Sequence, residues 1–368
     1  MDHWSIDLAD ITSRPDFPGM EVPRREAWGV VGRLPGTGDG ATLMLNGHID
    51  VVPTGDPDAW VDPPYAGTVR DGRLFGRGAC DMKAGLLASH FAVQAIRAAG
   101  VRLRGDLLLA SVLGEEDGGL GTYATIQRGW RADACVIAEP TAMDIISANS
   151  GALTFRLRVR GQATHAARRT EGVSAIEKFW PLWQAIAELE ARRHTTSDER
   201  TARWPLAHPI SIGTVQCGDW PSSVPDLLVA EGRMGVAIGE PTEAAQADLE
   251  EAIAEACARD PWLRAHPAEI EWWGGQYASG SLQPGSDLVQ RVQAAHVAAT
   301  GGLRPDDYAA PYGSDLRLLT GLAGIPTLQY GPGDAMLAHG RAESVPTDEV
   351  FTTARTLALL ALDICGVA

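Results

Sequence analysis

Three short apolar runs constrain this chain most: TLMLN (42–46), DLLLASVL (106–113) and ACVIAE (134–139), each bounded by turn or charge signals. Continuous hydrophobicity over so few residues fits buried strands of a sheet covered on both faces. Between the first two lies MKAGLLASHFAVQAIRAAG, whose apolar positions recur at helical spacing and which stops at Gly100. Strand, helix and strand therefore alternate as in a wound α/β layer, where chemistry collects outside the carboxyl ends of the strands.

Polar islands follow those runs. LMLNGHIDVVP supplies His48 and Asp50, GRGACDMKAG supplies Asp81, GEEDGG supplies Glu115 and Glu116, VIAEP supplies Glu139, and GPGDAMLAHG supplies His339. Each island alone has an ordinary explanation: a surface His beside a solvated Asp, a helix cap, an acidic turn, a strand-end Glu. Together they form a donor set of two imidazoles and several carboxylates, which suits borderline divalent ions, zinc first among them. His48 and Asp50 are two apart at a strand end and share a face of extended backbone, so Asp50 is expected to orient the imidazole through its other nitrogen. A carboxylate such as Asp81, in a turn before a helix, can give one oxygen to each of two ions held about 3.5–4 Å apart, with one activated water between them. Adjacent Glu115 and Glu116 can diverge, one binding metal while the other takes the water's proton and returns it to the leaving nitrogen. His339 completes the second ion, and the glycines before it, Gly333 included, allow close approach of backbone to a ligand. Cys80 reads as a small residue in a tight turn rather than a nucleophile, and GRGAC lacks the context of a dinucleotide loop.

From about residue 153 the order becomes strand (ALTFRLRVRG), helix (172–193, with Pro181 a candidate kink), strand, strand, helix and strand (EIEWW). This is a split βαββαβ pattern, expected to form a ferredoxin-like domain inserted into the first. Residues 1–152 and 279–368 are expected to make a discontinuous metal-binding domain with a central mixed sheet, and 153–278 the insert. The loop 194–209 is the most polar connection and the candidate for mobility.

The net charge of -16 argues against nucleic acid and anionic membrane surfaces as partners, since both select a basic footprint. No apolar run approaches the roughly 20 residues that span a bilayer. Five cysteines, with no cationic-then-apolar leader at MDHWSIDLAD, point to the cytoplasm.

These islands resemble the acetylornithine deacetylase and succinyl-diaminopimelate desuccinylase family of dinuclear zinc amidohydrolases, which includes aminoacylases and carboxypeptidase G, and the resemblance covers nearly the whole chain. It implies that His48, Asp81 and Glu139 hold one Zn2+ and that Asp81, Glu116 and His339 hold the other, with Co2+ or Mn2+ as substitutes. Glu115 would be the base, Asp50 the partner behind a ligand, and the bond from Asp81 to Met82 a cis peptide. The insert is similar to the family's lid and homodimerisation domain. GQATHAA would place His165 on the histidine that reaches into the other protomer's site, and Arg233 in EGRMG on the arginine that binds a substrate carboxylate. The family's N-x-x-P turn is altered in WPSSVPD, where Ser223 precedes Val224 and Pro225. Desuccinylases carry an arginine where this chain has Asn149, Ser150 and Gly151, so a small acyl group, acetyl or formyl, is expected on an amino-acid-like amine. A dipeptidase or aminopeptidase on the same scaffold is the alternative, and a non-catalytic ligand-binding member is the alternative of another class.

Overall fold

The three apolar runs form adjacent parallel strands in the computed structural model, which describes residues 1–194 and 198–368; residues 195–197, in the loop singled out for mobility, lie outside the described residues. Leu43–His48 lies between Leu107–Val112 and Ala134–Ile137, with Leu43 opposite both Leu107 and Ala134. Thr327–Gln329 adds a fourth parallel strand beside Ala134–Ile137. Antiparallel strands extend both sides: Trp28–Leu34 and Asp2–Ser5 on one, Ile145–Asn149 and Gly280–Ser281 on the other. All six residues of Leu43–His48 are buried, which accounts for a run without polar alternation.

Successive side chains face opposite layers. Met44, Leu108, Cys135 and Ile137 pack with Leu120, Tyr123 and Leu319, while Leu43, Leu45, Leu107 and Val136 pack with Ile96, Val292, Leu357 and Leu360. The second layer is built by the helices Ala84–Ala98, Leu288–Thr300 and Thr347–Cys365. A Cβ on Gly85 would come 1.8 Å from the carbonyl oxygen of Ala138. The helix that follows Asp81 can therefore touch the strand end that precedes Glu139 because residue 85 has no side chain.

The chain divides into two units, Met1–Asn149 with Gly280–Ala309 and Ser314–Ala368, and Ser150–Ser279 with Ala310–Gly313. Residues 310–313 thus group with the second unit, against the boundaries expected above. Ser150 donates to the Ala310 carbonyl at 2.8 Å, and the space a Cβ on Gly313 would need is filled by the Tyr277 ring. Neither contact has a periodic trace in the sequence.

The second unit is a ferredoxin-like βαββαβ fold. Its strands Gly151–Arg160, Ile210–Cys217, Leu227–Val236 and Glu269–Tyr277 form an antiparallel sheet in the order second, third, first, fourth. The helices Ala175–His194, which runs through Pro181, and Thr242–Arg259 bury Phe179, Leu182, Leu249 and Ile253 against Leu153, Leu157 and Leu228. On the same sheet Arg156 bridges Glu231 at 2.7 Å and Glu271 at 2.9 Å across strands. Among the described residues no helix is long and apolar enough to cross a membrane.

Leu45 is fully buried at the centre of the parallel strands. Leu45→Ala is expected to lower unfolding stability by about 2–5 kcal/mol in a urea titration. A loss below about 1 kcal/mol would contradict its place in the core.

Candidate metal centre

The four parallel strands end on one edge of the sheet, and the polar islands lie just past them. His48 is the last residue of its strand, Glu115 and Glu116 follow Leu107–Val112, Glu139 follows Ala134–Ile137, and the loop from Thr327–Gln329 leads to His339. Asp81 lies in a turn opened by Gly78, whose left-handed φ of 77° favours glycine. The peptide bond from Asp81 to Met82 is cis.

Asp81 lies between the two imidazoles. Its Oδ1 is 3.0 Å from His48 Nε2, and its Oδ2 is 3.5 Å from His339 Nε2. Glu139 Oε2 is 3.9 Å from His48 Nε2, and Glu116 Oε2 is 3.1 Å from His339 Nε2. Ligand-capable atoms of His48, Glu115 and Glu139 all lie within 4.8 Å of one another, as do those of His48, Asp81 and Glu116. The six residues form one cluster in the first unit.

Asp50 meets the Nδ1 side of His48 chiefly through its main chain. The Asp50 carbonyl oxygen lies 3.0 Å from His48 Nδ1, whereas the nearer carboxylate oxygen is 3.6 Å away. A carbonyl only accepts, so Nδ1 carries the proton and Nε2 is the nitrogen that could bind a metal. The carboxylate instead accepts the backbone N–H of Glu116 at 3.1 Å and fixes the acidic turn. That turn is held from two more sides: Arg24 chelates Asp117 at 2.7 and 2.8 Å, and Arg317 donates to the Gly118 carbonyl at 2.8 Å.

The electrostatics fit divalent cations. Burial pushes Glu115 and Glu139 well above the usual carboxylate range, and burial also raises Glu116. Burial would raise Asp81 too, but hydrogen bonds from His339 and His48 outweigh it and hold the group below its ordinary value. His339 is raised to about 10 by its hydrogen bonds to Asp81 and Glu116. Burial would lower His48, yet Asp81, Glu139 and Glu115 lift it well above the ordinary value. Without a cation, burial drives Glu115, Glu116 and Glu139 toward their neutral forms, because an unbalanced buried charge is costly. Divalent ions would let these carboxylates ionise, and imidazole nitrogen with carboxylate oxygen is a donor set that zinc accepts.

The remaining sequence candidates are not among those six residues. Gly333 has a left-handed φ of 89°; its N–H donates to Glu349 at 2.8 Å, and a Cβ would come 2.6 Å from Cys80 Sγ, so this glycine serves packing against Cys80. Cys80 is buried, and burial pushes its thiol up, away from a reactive thiolate. His165, Ser223 and Arg233 belong to the second unit. His165 and Ser223 face each other in a two-stranded ladder, and His165 is exposed with Nδ1 accepting the Ala167 N–H at 3.1 Å. Arg233 lies on Leu227–Val236, reaches the Pro311 carbonyl at 3.4 Å, and is lowered by burial. Arg77, Glu343 and Arg317, which no motif or spacing marks out, are also buried charges in the first unit.

The profile of peptidase family M20/M25/M40 matches residues 44–363. The chain belongs to this family. M20 membership makes it a hydrolase of amide bonds. It is 31% identical over 347 residues to N-formyl-4-amino-5-aminomethyl-2-methylpyrimidine deformylase of Halalkalibacterium halodurans, covering 88% of this chain and 79% of that one. It is 37% identical over 194 residues to succinyl-diaminopimelate desuccinylase of Dechloromonas aromatica, covering 50% of each. Its fold is similar to that of an M20 metallo-carboxypeptidase from Sulfolobus solfataricus, with a TM-score of 0.73 at 15% identity over 93% of this chain and 89% of that one. A dinuclear metal-binding M20 peptidase from Bacillus subtilis aligns with a TM-score of 0.60 at 17% identity, over 92% of this chain and 86% of that one.

Chelation is expected to lower the thermal midpoint by about 5 °C or more, and added Zn2+ to restore it, because a ligand at 100 times its Kd stabilises by about 2.7 kcal/mol. A midpoint indifferent to both would contradict a metal centre here.

Proposed function

We propose that this M20 hydrolase removes a small N-acyl group, formyl first and acetyl second, from a compact amine, with N-formylated aminomethylpyrimidine as the first substrate to try. The observation that carries the acyl assignment is the contrast between relatives: the deformylase aligns over 88% of the chain, the desuccinylase over 50%. The position where desuccinylases carry arginine supports it too. Asn149 and Ser150 stand there, both buried; Asn149 donates to Gln329 at 3.4 Å and accepts from Ser314 at 3.1 Å, and neither residue offers a cation to a second carboxylate on the acyl group.

In this reading His48, Asp81 and Glu139 hold one ion, and Asp81, Glu116 and His339 the other; zinc is the first choice, with cobalt or manganese as substitutes. When bound, such a pair polarises an amide carbonyl and makes water a nucleophile near neutral pH. Glu115 accepts the proton of the attacking water and delivers it to the nitrogen as the C–N bond breaks, giving a carboxylate and a free amine. Asp50 keeps His48 in the ligating tautomer through its carbonyl and keeps Glu115 and Glu116 in place through its carboxylate. Since Nδ1 of His165 is an acceptor, Nε2 carries the proton and can donate to a developing oxyanion. We assign that donation to His165 of the partner subunit in a homodimer formed by the second unit, with Arg233, Ser223 and Gly333 as substrate contacts. The five free cysteines, four of them buried, support the cytoplasm as the compartment.

Glu115→Gln is expected to lower kcat by at least about 10²–10⁴-fold while metal content by elemental analysis stays at the wild-type level. Retained turnover would remove Glu115 from the base role. Mixing inactive Glu115→Gln and His165→Ala dimers should restore activity through hybrids that hold one intact site; no recovery on subunit exchange would contradict action across protomers. A panel of N-formyl, N-acetyl and N-succinyl amines with dipeptides should rank formyl or acetyl first. Faster dipeptide cleavage would make the enzyme a dipeptidase.

A further inference from the structure

The pair Arg77 and Glu343 sits behind the metal centre, and neither residue has a task in the reaction above. Both side chains are buried, and they form an ion pair through Arg77 Nη1 and Glu343 Oε2. The strand Ser344–Pro346 pairs with Arg73–Phe75, Ser344 opposite Phe75, and Gly76 donates to the Glu343 carbonyl at 3.1 Å. This register brings together two residues 266 positions apart.

What the pair touches is specific. Glu343 Oε1 accepts the backbone N–H of Cys80 at 3.0 Å and of Asp81 at 3.2 Å. Arg77 Nη2 donates to the carbonyl of His339 at 3.1 Å and reaches that of Pro53 at 3.4 Å, just past the His48 strand end. His339 has a left-handed φ of 60°, a conformation few non-glycine residues adopt without support. One end of the pair therefore grips the turn that carries Asp81, and the other grips the backbone of His339. Those are two of the three residues assigned to the second ion. A buried ion pair is weak grounds for stability, because desolvation offsets its attraction. Its worth here lies in where it points.

We propose that Arg77 and Glu343 are positioning residues that set the spacing of Asp81 and His339 and so determine affinity at the Asp81, Glu116 and His339 position, a claim that rests on the metal reading above. Asp81 belongs to both positions, whereas of the ligands held by one position alone the pair touches His339 and, in the described hydrogen bonds, neither His48 nor Glu139. The second position therefore takes the larger share of the clamp's effect. The turn that carries Asp81 needs an acceptor at Glu343 Oε1, and a neutral amide oxygen supplies one. The His339 carbonyl needs a donor at Arg77.

The test is a Co2+ titration of the full chain by calorimetry and by the visible cobalt spectrum, on wild type, Glu343→Ala, Glu343→Gln, Arg77→Met and Arg77→Lys. Wild type should bind two ions. Glu343→Ala and Arg77→Met should weaken one of the two ions by about 10- to 100-fold and the other by clearly less. Their kcat should fall at limiting Co2+ and recover with excess Co2+, with KM at saturating metal unchanged. Glu343→Gln, which keeps the amide acceptor, should retain most of the affinity. If Glu343→Ala or Arg77→Met proves insoluble, Glu343→Gln and Arg77→Lys carry the test, with Arg77→Lys expected to lose the second ion more than Glu343→Gln. Two tight ions in every folded variant would overturn the clamp alone, as would equal weakening of both ions. A wild-type chain that binds no Co2+ would overturn the metal reading, and the clamp with it.

Discussion

One carboxylate shared by two imidazoles governs this structure. Asp81 turns one oxygen to His48 and the other to His339, and every nearby element bears on keeping it there. Parallel strands bring His48, Glu115 and Glu139 to one edge; the bare backbone at Gly85 lets the helix after Asp81 close on Ala138; and the loop from Thr327–Gln329 returns His339 to the far side. The arrangement gathers buried carboxylates that ionise at low cost only beside cations, which suits a metal centre. The apolar layers on both faces of the sheet supply the stability that such a cluster consumes.

Backbone groups orient as much of the centre as side chains do. The Asp50 carbonyl sets the His48 tautomer, the Glu116 N–H is taken by the Asp50 carboxylate, and the Asp81 N–H is taken by Glu343. Main-chain contacts thus hold the imidazoles and carboxylates of the centre at their observed spacing. Arg24, Arg317 and Arg77 each brace one loop of the centre, which gives three buried or half-buried guanidinium groups a common purpose.

Much of this was legible in the sequence, for physical reasons. Strands buried on both faces leave unbroken apolar runs, so Leu43–His48 and Ala134–Ile137 could be read directly, and the polar residues that cluster past the strand ends could be read from the islands that follow. The βαββαβ order of the second unit was legible from its alternating periods. The use of the Asp50 carbonyl was not, since no side-chain pattern reports a main-chain acceptor. The grouping of 310–313 with the second unit and the pairing of Arg77 with Glu343 were hidden for another reason. Both depend on contacts between distant segments, and an Arg four residues before Asp81 or a Glu four after His339 looks like ordinary surface charge in one dimension.

The most direct test of the central claim is an anomalous diffraction experiment at the zinc edge on crystals grown with Zn2+. Two peaks about 3.5–4 Å apart, one on each side of the Asp81 carboxylate, are the expected result. Zinc bound elsewhere on the chain, with no density between Asp81 and either imidazole, would contradict the account.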